Sequence, residues 1–236
     1  MLAIYKRELK SYFHSMMGYI IVAFMVAFTG IYFMAYNLYS GYPFFSYVLT
    51  AINYVLIIVV PLLTMRSFAE ERKNKTDQLL LCAPVRLMDV VLGKYLAMVS
   101  VFAIPCLVFC FYPLIIKSFG TAYLKVDYAA ILMFFLLGCV YIAIGMFLSS
   151  LTESQIIAAI TTFGSLMLVY LWGGLLSFLP DIEFLINILE KLDVVAVFES
   201  IVSEQMFNLG GLFYYLSLIG VFVFLTMQSI QKRRWS

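Results

Sequence analysis

Apolar residues form six long runs along this chain, separated by shorter polar segments. Each run is about 20 residues long, the length of an α-helix that crosses a hydrocarbon core of about 30 Å. The runs are too long and too continuously apolar for the alternating strands of a membrane β-barrel. The pattern therefore predicts an all-α fold with six membrane-spanning helices, near residues 16–36, 48–65, 95–116, 128–150, 155–179 and 209–230.

The composition indicates the same class of protein. Hydrophobic residues make up 64% of the 236 residues and charged residues 12%, whereas soluble domains have roughly 45–50% and about 25%. We therefore expect an integral membrane protein with a single transmembrane domain over residues 1–236.

The lysines and arginines are distributed unequally between the two sides of the membrane. If both termini are cytosolic, twelve of the fifteen lie on the cytosolic side, and the three exceptions are Lys117, Lys125 and Lys191. An excess of positive charge marks cytosolic loops. The distribution predicts that both termini and residues 66–94 are cytosolic and that residues 37–47, 117–127 and 180–207 are extracytosolic.

Residues 1–15 have apolar and basic positions on different faces of a helix. This pattern predicts an interfacial helix that lies in the membrane plane, and a flexible basic tail is the alternative. The apolar face would hold Leu2, Tyr5, Leu9, Tyr12 and Phe13, and the basic face Lys6, Arg7 and Lys10.

Two extracytosolic features follow from the same kind of pattern. Apolar residues recur at helical spacing among the acids of residues 180–207, which predicts short re-entrant helices in the outer leaflet, with a surface loop as the alternative. Aromatic residues between the first two spans predict an outer belt of membrane anchors, with Trp235 as an inner anchor. The belt residues are Tyr36, Tyr39, Tyr42, Phe44, Phe45 and Tyr47.

The sequence shows no catalytic, cofactor-binding or metal-binding pattern. No ionisable residue lies well inside the six runs, although ion-coupled carriers place such groups there. Gly93-Lys94 lacks the earlier glycine of a phosphate loop, and Cys106 and Cys110 have too few possible co-ligands for a metal site. If the protein transports a substrate, the energy must come from another subunit. We expect no nucleic-acid partner.

Residues 66–94 form the longest polar segment predicted on the cytosolic side. Asn74 and Asp77 are typical of a helix start, three leucines follow, and Pro84 ends the turn. A short helix that carries leucines beside charges could dock into a partner, and the alternative is that the leucines enter the lipid interface.

These residues carry a resemblance to a known family. The segment KRELKSYFHS before the first run and the segment EERKNKTDQLLLCAPV after the second resemble those of ABC-2 type transporter permeases. The resemblance covers essentially the whole chain and is closest to permeases of bacterial gliding-type and other export systems. Lys75 stands where the family usually has a glycine, and Met16 or Met17 where it often has a proline.

The resemblance implies a multi-pass protein of the bacterial inner or plasma membrane that forms half of a channel. A second permease copy or a related permease would complete the pathway, and cytosolic ATPase subunits would bind ATP and Mg²⁺, so that no cofactor is expected in this chain. The implied ATPase-coupling residues are Glu70, Glu71, Arg72, Thr76, Asp77, Leu79, Leu80, Leu81 and Pro84.

The resemblance also implies that spans 1, 2 and 5 approach the dimer interface and pathway. Small residues at helical spacing in spans 1 and 5 would allow such an approach, and ordinary packing within one bundle is the alternative. These candidates are Ala23, Ala27, Gly30, Ala158, Thr161, Thr162 and Ser165.

The first functional hypothesis is therefore the permease subunit of an ATP-driven exporter for a hydrophobic or amphipathic substrate. A secondary carrier or channel that works alone is the second hypothesis. A membrane scaffold that recruits another protein is the third. A partner ATPase would distinguish the first from the other two.

Overall fold

The computed structural model describes residues 1–73, 86–119, 123–176, 193–204 and 209–234. Within these ranges every regular element is a helix, which confirms the predicted all-α fold. In chain order the helices are α1 (Leu2–His14), α2 (Met17–Phe33), α3 (Ser46–Thr64), α4 (Ala69–Lys73), α5 (Leu87–Phe109), α6 (Tyr112–Phe119), α7 (Leu124–Leu151), α8 (Gln155–Leu176), α9 (Val194–Glu204) and α10 (Leu209–Arg234).

Six candidate membrane spans lie in the described part of the chain, as the sequence predicted. They are Met17–Tyr39, Ser46–Arg72, Leu87–Phe119, Leu124–Leu151, Gln155–Gly174 and Leu209–Lys232.

Helices α3 and α7 form the centre of the bundle and are its most buried spans. Helix α3 packs against α2, α7 and α8, and α7 also contacts α5 and α10. The glycines of α7 permit this close packing. A Cβ at Gly138 would overlap the ring of Phe102, and one at Gly145 would lie 2.5 Å from Thr64 Oγ1. The outer faces of α2, α8 and α10 stay largely uncovered within the chain.

Helix α1 meets α2 at a sharp corner. The backbone of Met16 has a φ of 25°, in the left-handed region that residues with a side chain seldom adopt. Gly18 follows the corner, where an added Cβ would lie 3.0 Å from the carbonyl oxygen of Tyr12. The predicted amino-terminal helix is therefore present, and it packs against α5. Its exposed residues include Leu2, which the sequence placed on the apolar face.

The third and fourth spans begin earlier than predicted. Helix α5 starts at Leu87, so it includes Asp89 and Lys94. The sequence analysis placed both residues before the span. The third span is also two helices, because the chain turns at Cys110 and Phe111 before α6. Helix α7 includes Asp127, whose carboxylate is fully buried.

Asp127 joins the ends of α3 and α7. Its Oδ1 accepts a hydrogen bond from the backbone N–H of Phe45 at 2.8 Å, at the start of α3. The sequence assigned Phe45 to an exposed aromatic belt, and this was wrong. The ring of Phe45 is 0% exposed and stacks on Tyr112 with centroids 5.3 Å apart. Tyr39, another predicted belt residue, is 93% exposed.

The segment 180–207, which the sequence predicts to be extracytosolic, is described only in part. Residues 194–204 are helical, whereas residues 180–192, residues 205–207 and Trp235 lie outside the described residues. The re-entrant arrangement of residues 180–207 and the cytosolic location of the termini stay predictions.

Candidate functional site

Three of the predicted coupling residues lie on the short helix α4, which follows the end of α3. Glu70, Glu71 and Arg72 all make contacts with other parts of the bundle. The contacts of Glu70 and Glu71 belong to a cluster that we call the charged junction, where α1, α4 and α5 meet. Its members are Arg7, Glu8, Arg66, Glu70, Glu71 and Lys94.

Lys94 is at the centre of the charged junction. Its side chain is only 2% exposed, and a buried ammonium group is costly unless it is paired and hydrogen-bonded. Lys94 Nζ lies 2.8 Å from Glu71 Oε1 and 3.4 Å from Glu8 Oε1. It also donates a hydrogen bond to the carbonyl oxygen of Ser67 at 2.7 Å. The ring of Phe68 lies 5.1 Å from Nζ, within cation–π range.

Arg7 closes the same group of charges from the solvent side. Its Nη2 lies 2.7 Å from Glu8 Oε1 and 3.3 Å from Glu71 Oε1. The hydrogen bond to Glu8 raises the pKa of the Arg7 guanidinium above its usual value. Two carboxylates therefore face two cations. The cations offset the electrostatic repulsion between Glu8 and Glu71.

Close backbone packing allows α1 to reach Lys94. A Cβ at Gly93 would lie 3.2 Å from Ile4 Cγ2 on α1. The hydroxyl of Tyr5 lies 2.9 Å from Ser100 Oγ. Ser100 is six residues beyond Lys94 on α5. Helix α1 is thus fixed along α5, with Glu8 beside Lys94.

A second ion pair joins the end of α3 to α4. Arg66 donates from Nε to Glu70 Oε2 at 2.7 Å and from Nη2 to Glu70 Oε1 at 3.1 Å, which is the strong two-bond geometry of a guanidinium and a carboxylate. Arg66 Nη1 also donates to Ser15 Oγ at 3.0 Å. The Tyr12 hydroxyl donates to the carbonyl oxygen of Leu63 at 3.0 Å, and burial raises the pKa of Tyr12. Both contacts tie the corner after α1 to the end of α3.

The carboxyl-terminal end of α7 supports α4 from the other side. Ser149 Oγ accepts hydrogen bonds from the backbone N–H groups of Phe68 and Ala69, at 3.4 and 3.3 Å. Arg72 Nη1 donates to the carbonyl oxygen of Thr152 at 3.1 Å.

The charged junction holds both flanks of residues 74–85. The chain enters this segment from α4, which carries Glu70 and Glu71, and leaves it into α5, which carries Lys94. The remaining predicted coupling residues lie outside the described residues, namely Thr76, Asp77, Leu79, Leu80, Leu81 and Pro84.

A comparison with protein families decides the identity of this helical bundle. The family described as ABC-2 family transporter protein matches residues 37–228, about four-fifths of the chain. The chain belongs to the ABC-2 transporter family. It is therefore a multi-pass membrane protein and a permease component of an ABC transporter. Among curated proteins, the comparison finds no match.

The small residues of the first span face away from the rest of this ABC-2 chain. Ala23 and Ala27 are exposed on α2. Gly30 is half-buried, and a Cβ added there would lie 3.8 Å from the Tyr112 hydroxyl. The exposed alanines are available to a neighbouring helix. The interface role of these three residues stays a prediction.

The candidates on the fifth span are divided between two faces of α8. Ala158 and Thr162 are fully buried inside the bundle, and Ser165 is half-buried. Thr162 Cγ2 would lie 3.0 Å from a Cβ at Gly145 on α7. Only Thr161 is exposed. Within this chain the two fully buried positions pack inside the bundle. The interface role of these four residues stays a prediction.

Sequence reasoning did not name four members of the charged junction as site residues, namely Arg7, Glu8, Arg66 and Lys94. Glu8 carried a usable signal, because it lies three or four residues from Tyr5 and Tyr12 on the buried face of α1. A carboxylate within an otherwise apolar stripe indicates a buried cation nearby. No comparable signal marks Ser149, because its role depends on the position of the chain after α3.

Proposed function

We propose that this chain forms a transmembrane pathway together with a second permease subunit and is driven by separate cytosolic ATPase subunits. The observation that carries the proposal is the family match, together with a charged junction that holds both flanks of residues 74–85. In the proposed mechanism, the ATPase pushes on residues 74–85. The chain itself performs no chemistry.

The charged junction supports a mechanical role for this region. A contact made by residues 74–85 acts on α4 at one flank and α5 at the other. Because Lys94 is paired with Glu8 and Glu71, the force also reaches α1. Packed helices move as units between discrete arrangements, which suits a switch between two transport states.

The composition of the spans supports a substrate class. In the described helices α3 and α8 no charged residue is present, and the charges of α5 and α7 lie in the first eight residues of each helix. We propose export of a hydrophobic or amphipathic substrate, because helix centres without charge suit such molecules better than ions.

The coupling proposal is tested by replacing Leu80 and Leu81 together with aspartate. Burial of two carboxylates in an apolar socket costs several kcal/mol, so the ATPase should no longer co-purify with the tagged permease from its host. Mass spectrometry identifies the ATPase by its phosphate-loop sequence, and MgATP hydrolysis by the purified complex is measured alongside. A photo-crosslinking residue at position 80 should give a covalent adduct with the ATPase.

A matched control is Leu2→Asp, because Leu2 is an exposed leucine on α1. That variant should keep the ATPase and its hydrolysis. Thermal unfolding of each variant in detergent shows whether the permease still folds. If the double aspartate variant folds and keeps both the ATPase and its activity, residues 74–85 are not the coupling element.

The second-subunit proposal uses the exposed alanines of α2. A cysteine at Ala27, in a background without native cysteines, should crosslink to a second permease in membranes. The control is a cysteine at Val221, which is exposed on α10. Equal crosslinking at both positions, or none at Ala27, contradicts an interface at α2.

A further inference from the structure

An apolar groove runs along the outer surface of the bundle between α5 and α7. Its volume is about 290 Å³, and nearly all of its lining is carbon and sulfur. The lining residues are Ala103, Cys106 and Leu107 of α5, Cys110 directly after α5, and Tyr128, Ile131, Leu132 and Phe135 of α7.

The sequence explains why the two helices leave a groove there. Helix α5 and the residue after it present the small residues Ala103, Cys106 and Cys110 at helical spacing, opposite larger side chains of α7. Cys106 and Ile131 are buried and form the floor. Leu107, which is 66% exposed, forms one wall.

The groove is long enough for part of an extended hydrocarbon chain. From Ala103 to Cys110 the rise along α5 is about 10 Å. Both helices belong to candidate membrane spans, so the groove opens toward lipid.

One end of the groove carries tyrosines, which are typical of the depth of lipid headgroups. Tyr128 marks that end, where its hydroxyl donates to the carbonyl oxygen of Cys110 at 3.3 Å. Tyr123 is exposed one turn and a half before it. Tyrosines are enriched at the membrane–water interface because one part of the ring is apolar and the hydroxyl is polar.

Two exposed lysines belong to α6 and α7, the helices that begin near this end. Lys125 is three residues before Tyr128 and therefore on the same face of α7 as Tyr128, Leu132 and Phe135. Lys117 is on α6, which packs against α7. Within the described residues, neither lysine has an ion pair. Both are exceptions to the charge distribution that otherwise places lysine on the cytosolic side.

We propose that the groove binds an acyl chain of an anionic phospholipid, whose phosphate group is held by Lys125 and Lys117. Positive charge above an apolar groove is complementary to a phosphate attached to a hydrocarbon chain. A neutral apolar partner, such as a helix of another protein, would not pair with the charges of the two lysines. This groove shares no residue with the charged junction.

Tryptophan quenching by brominated lipids tests the proposal on the full-length chain. Leu107→Trp puts a reporter on the groove wall, with Trp172 and Trp235 replaced by phenylalanine. The protein is reconstituted into vesicles of phosphatidylcholine that contain increasing fractions of phosphatidylglycerol, and one lipid at a time carries bromine on its acyl chains. The ratio of quenching by the two lipids gives their relative affinity at the groove.

We expect phosphatidylglycerol to bind roughly 25-fold more tightly than phosphatidylcholine, because each of the two lysines near the headgroup contributes roughly a fivefold factor. K117Q/K125Q should bring the ratio close to one without affecting folding, because both side chains are exposed. The matched reporter Leu168→Trp, on an exposed position of α8, should show no preference.

Three results would overturn the proposal. The first is equal quenching by the two lipids at Leu107→Trp, and the second is a preference that survives K117Q/K125Q. The third is the absence of quenching by either lipid, which would mean that a second copy of the chain covers the groove.

Discussion

Loss of the Lys94 charge should destabilise the fold far more than loss of an exposed lysine. At an effective dielectric constant of about 20, the attraction of Lys94 Nζ is about 6 kcal/mol to Glu71 at 2.8 Å and about 5 kcal/mol to Glu8 at 3.4 Å. Desolvation of the three charges offsets most of this attraction, at several kcal/mol per ion. What remains after Lys94→Met is two carboxylates, both mostly buried, that have lost their central cation.

We therefore expect Lys94→Met to lower the free energy of unfolding by about 3–5 kcal/mol, the usual cost of removing one partner of a buried ion pair. Methionine keeps an unbranched stem against Phe68, so the loss reports mainly on charge. The control Lys10→Met removes a lysine from the exposed face of α1 and should change the free energy by no more than about 0.5 kcal/mol.

The assay is unfolding in mixed micelles by increasing SDS, followed by circular dichroism. The double variant Lys94→Met/Glu71→Gln removes both the cation and its closest carboxylate, so it should be more stable than Lys94→Met alone. Because Arg7 still pairs with Glu8, we expect recovery of about half of the loss. If Lys94→Met behaves like Lys10→Met, or if the double variant shows no recovery, the charged junction does not hold these helices together.

Two further predictions concern packing and orientation. Gly138→Ala forces a methyl group into the ring of Phe102 and should lower the free energy of unfolding by about 1–3 kcal/mol. The control Gly164→Ala has nothing within 4 Å of the added Cβ and should leave stability unchanged or raise it by up to about 1 kcal/mol. Equal effects of the two variants in SDS unfolding would contradict the packing of α5 on α7. The predicted orientation is tested with single cysteines in a background without native cysteines. An impermeant thiol reagent should label a cysteine at the exposed position Tyr39 from outside intact cells, and a cysteine at Lys10 only after permeabilisation. The reverse labelling pattern would invert the predicted orientation.

The fold class and the six spans could be predicted from the sequence because lipid leaves few alternatives. Every backbone polar group in the hydrocarbon core must be paired, so a run of about 20 apolar residues has to be a helix. The ends of the spans were harder to predict. The predicted spans begin directly after Lys94 and Asp127. In the structure both residues lie inside helices, where Lys94 is paired with Glu71 and Asp127 accepts a hydrogen bond from the backbone of Phe45.

The partners of these charges are distant in the sequence. Glu8 and Lys94 are brought together only by the packing of α1 on α5, and Asp127 meets the start of α3 through the packing of α7. Periodicity reports which face of a helix is apolar, but it does not report which other helix covers that face. The same limitation explains why Phe45 was wrongly assigned to the aromatic belt. An aromatic ring suits a membrane interface and a buried stack equally well.

The position of the charged junction constrains how any force could pass from residues 74–85 into the membrane. Arg66 and Glu70 fix α4 to the end of α3, and Lys94 fixes α5 to α1 through Glu8. Glu71 on α4 contacts both Lys94 and Arg7, so it joins the two groups. A displacement of residues 74–85 must therefore either move α1, α4 and α5 together or break the contacts of Glu71. Breaking a buried pair is costly, so the concerted movement would require less free energy. If the proposed coupling holds, α1 would therefore move with α4 and α5, although it lies outside the residues that match the family.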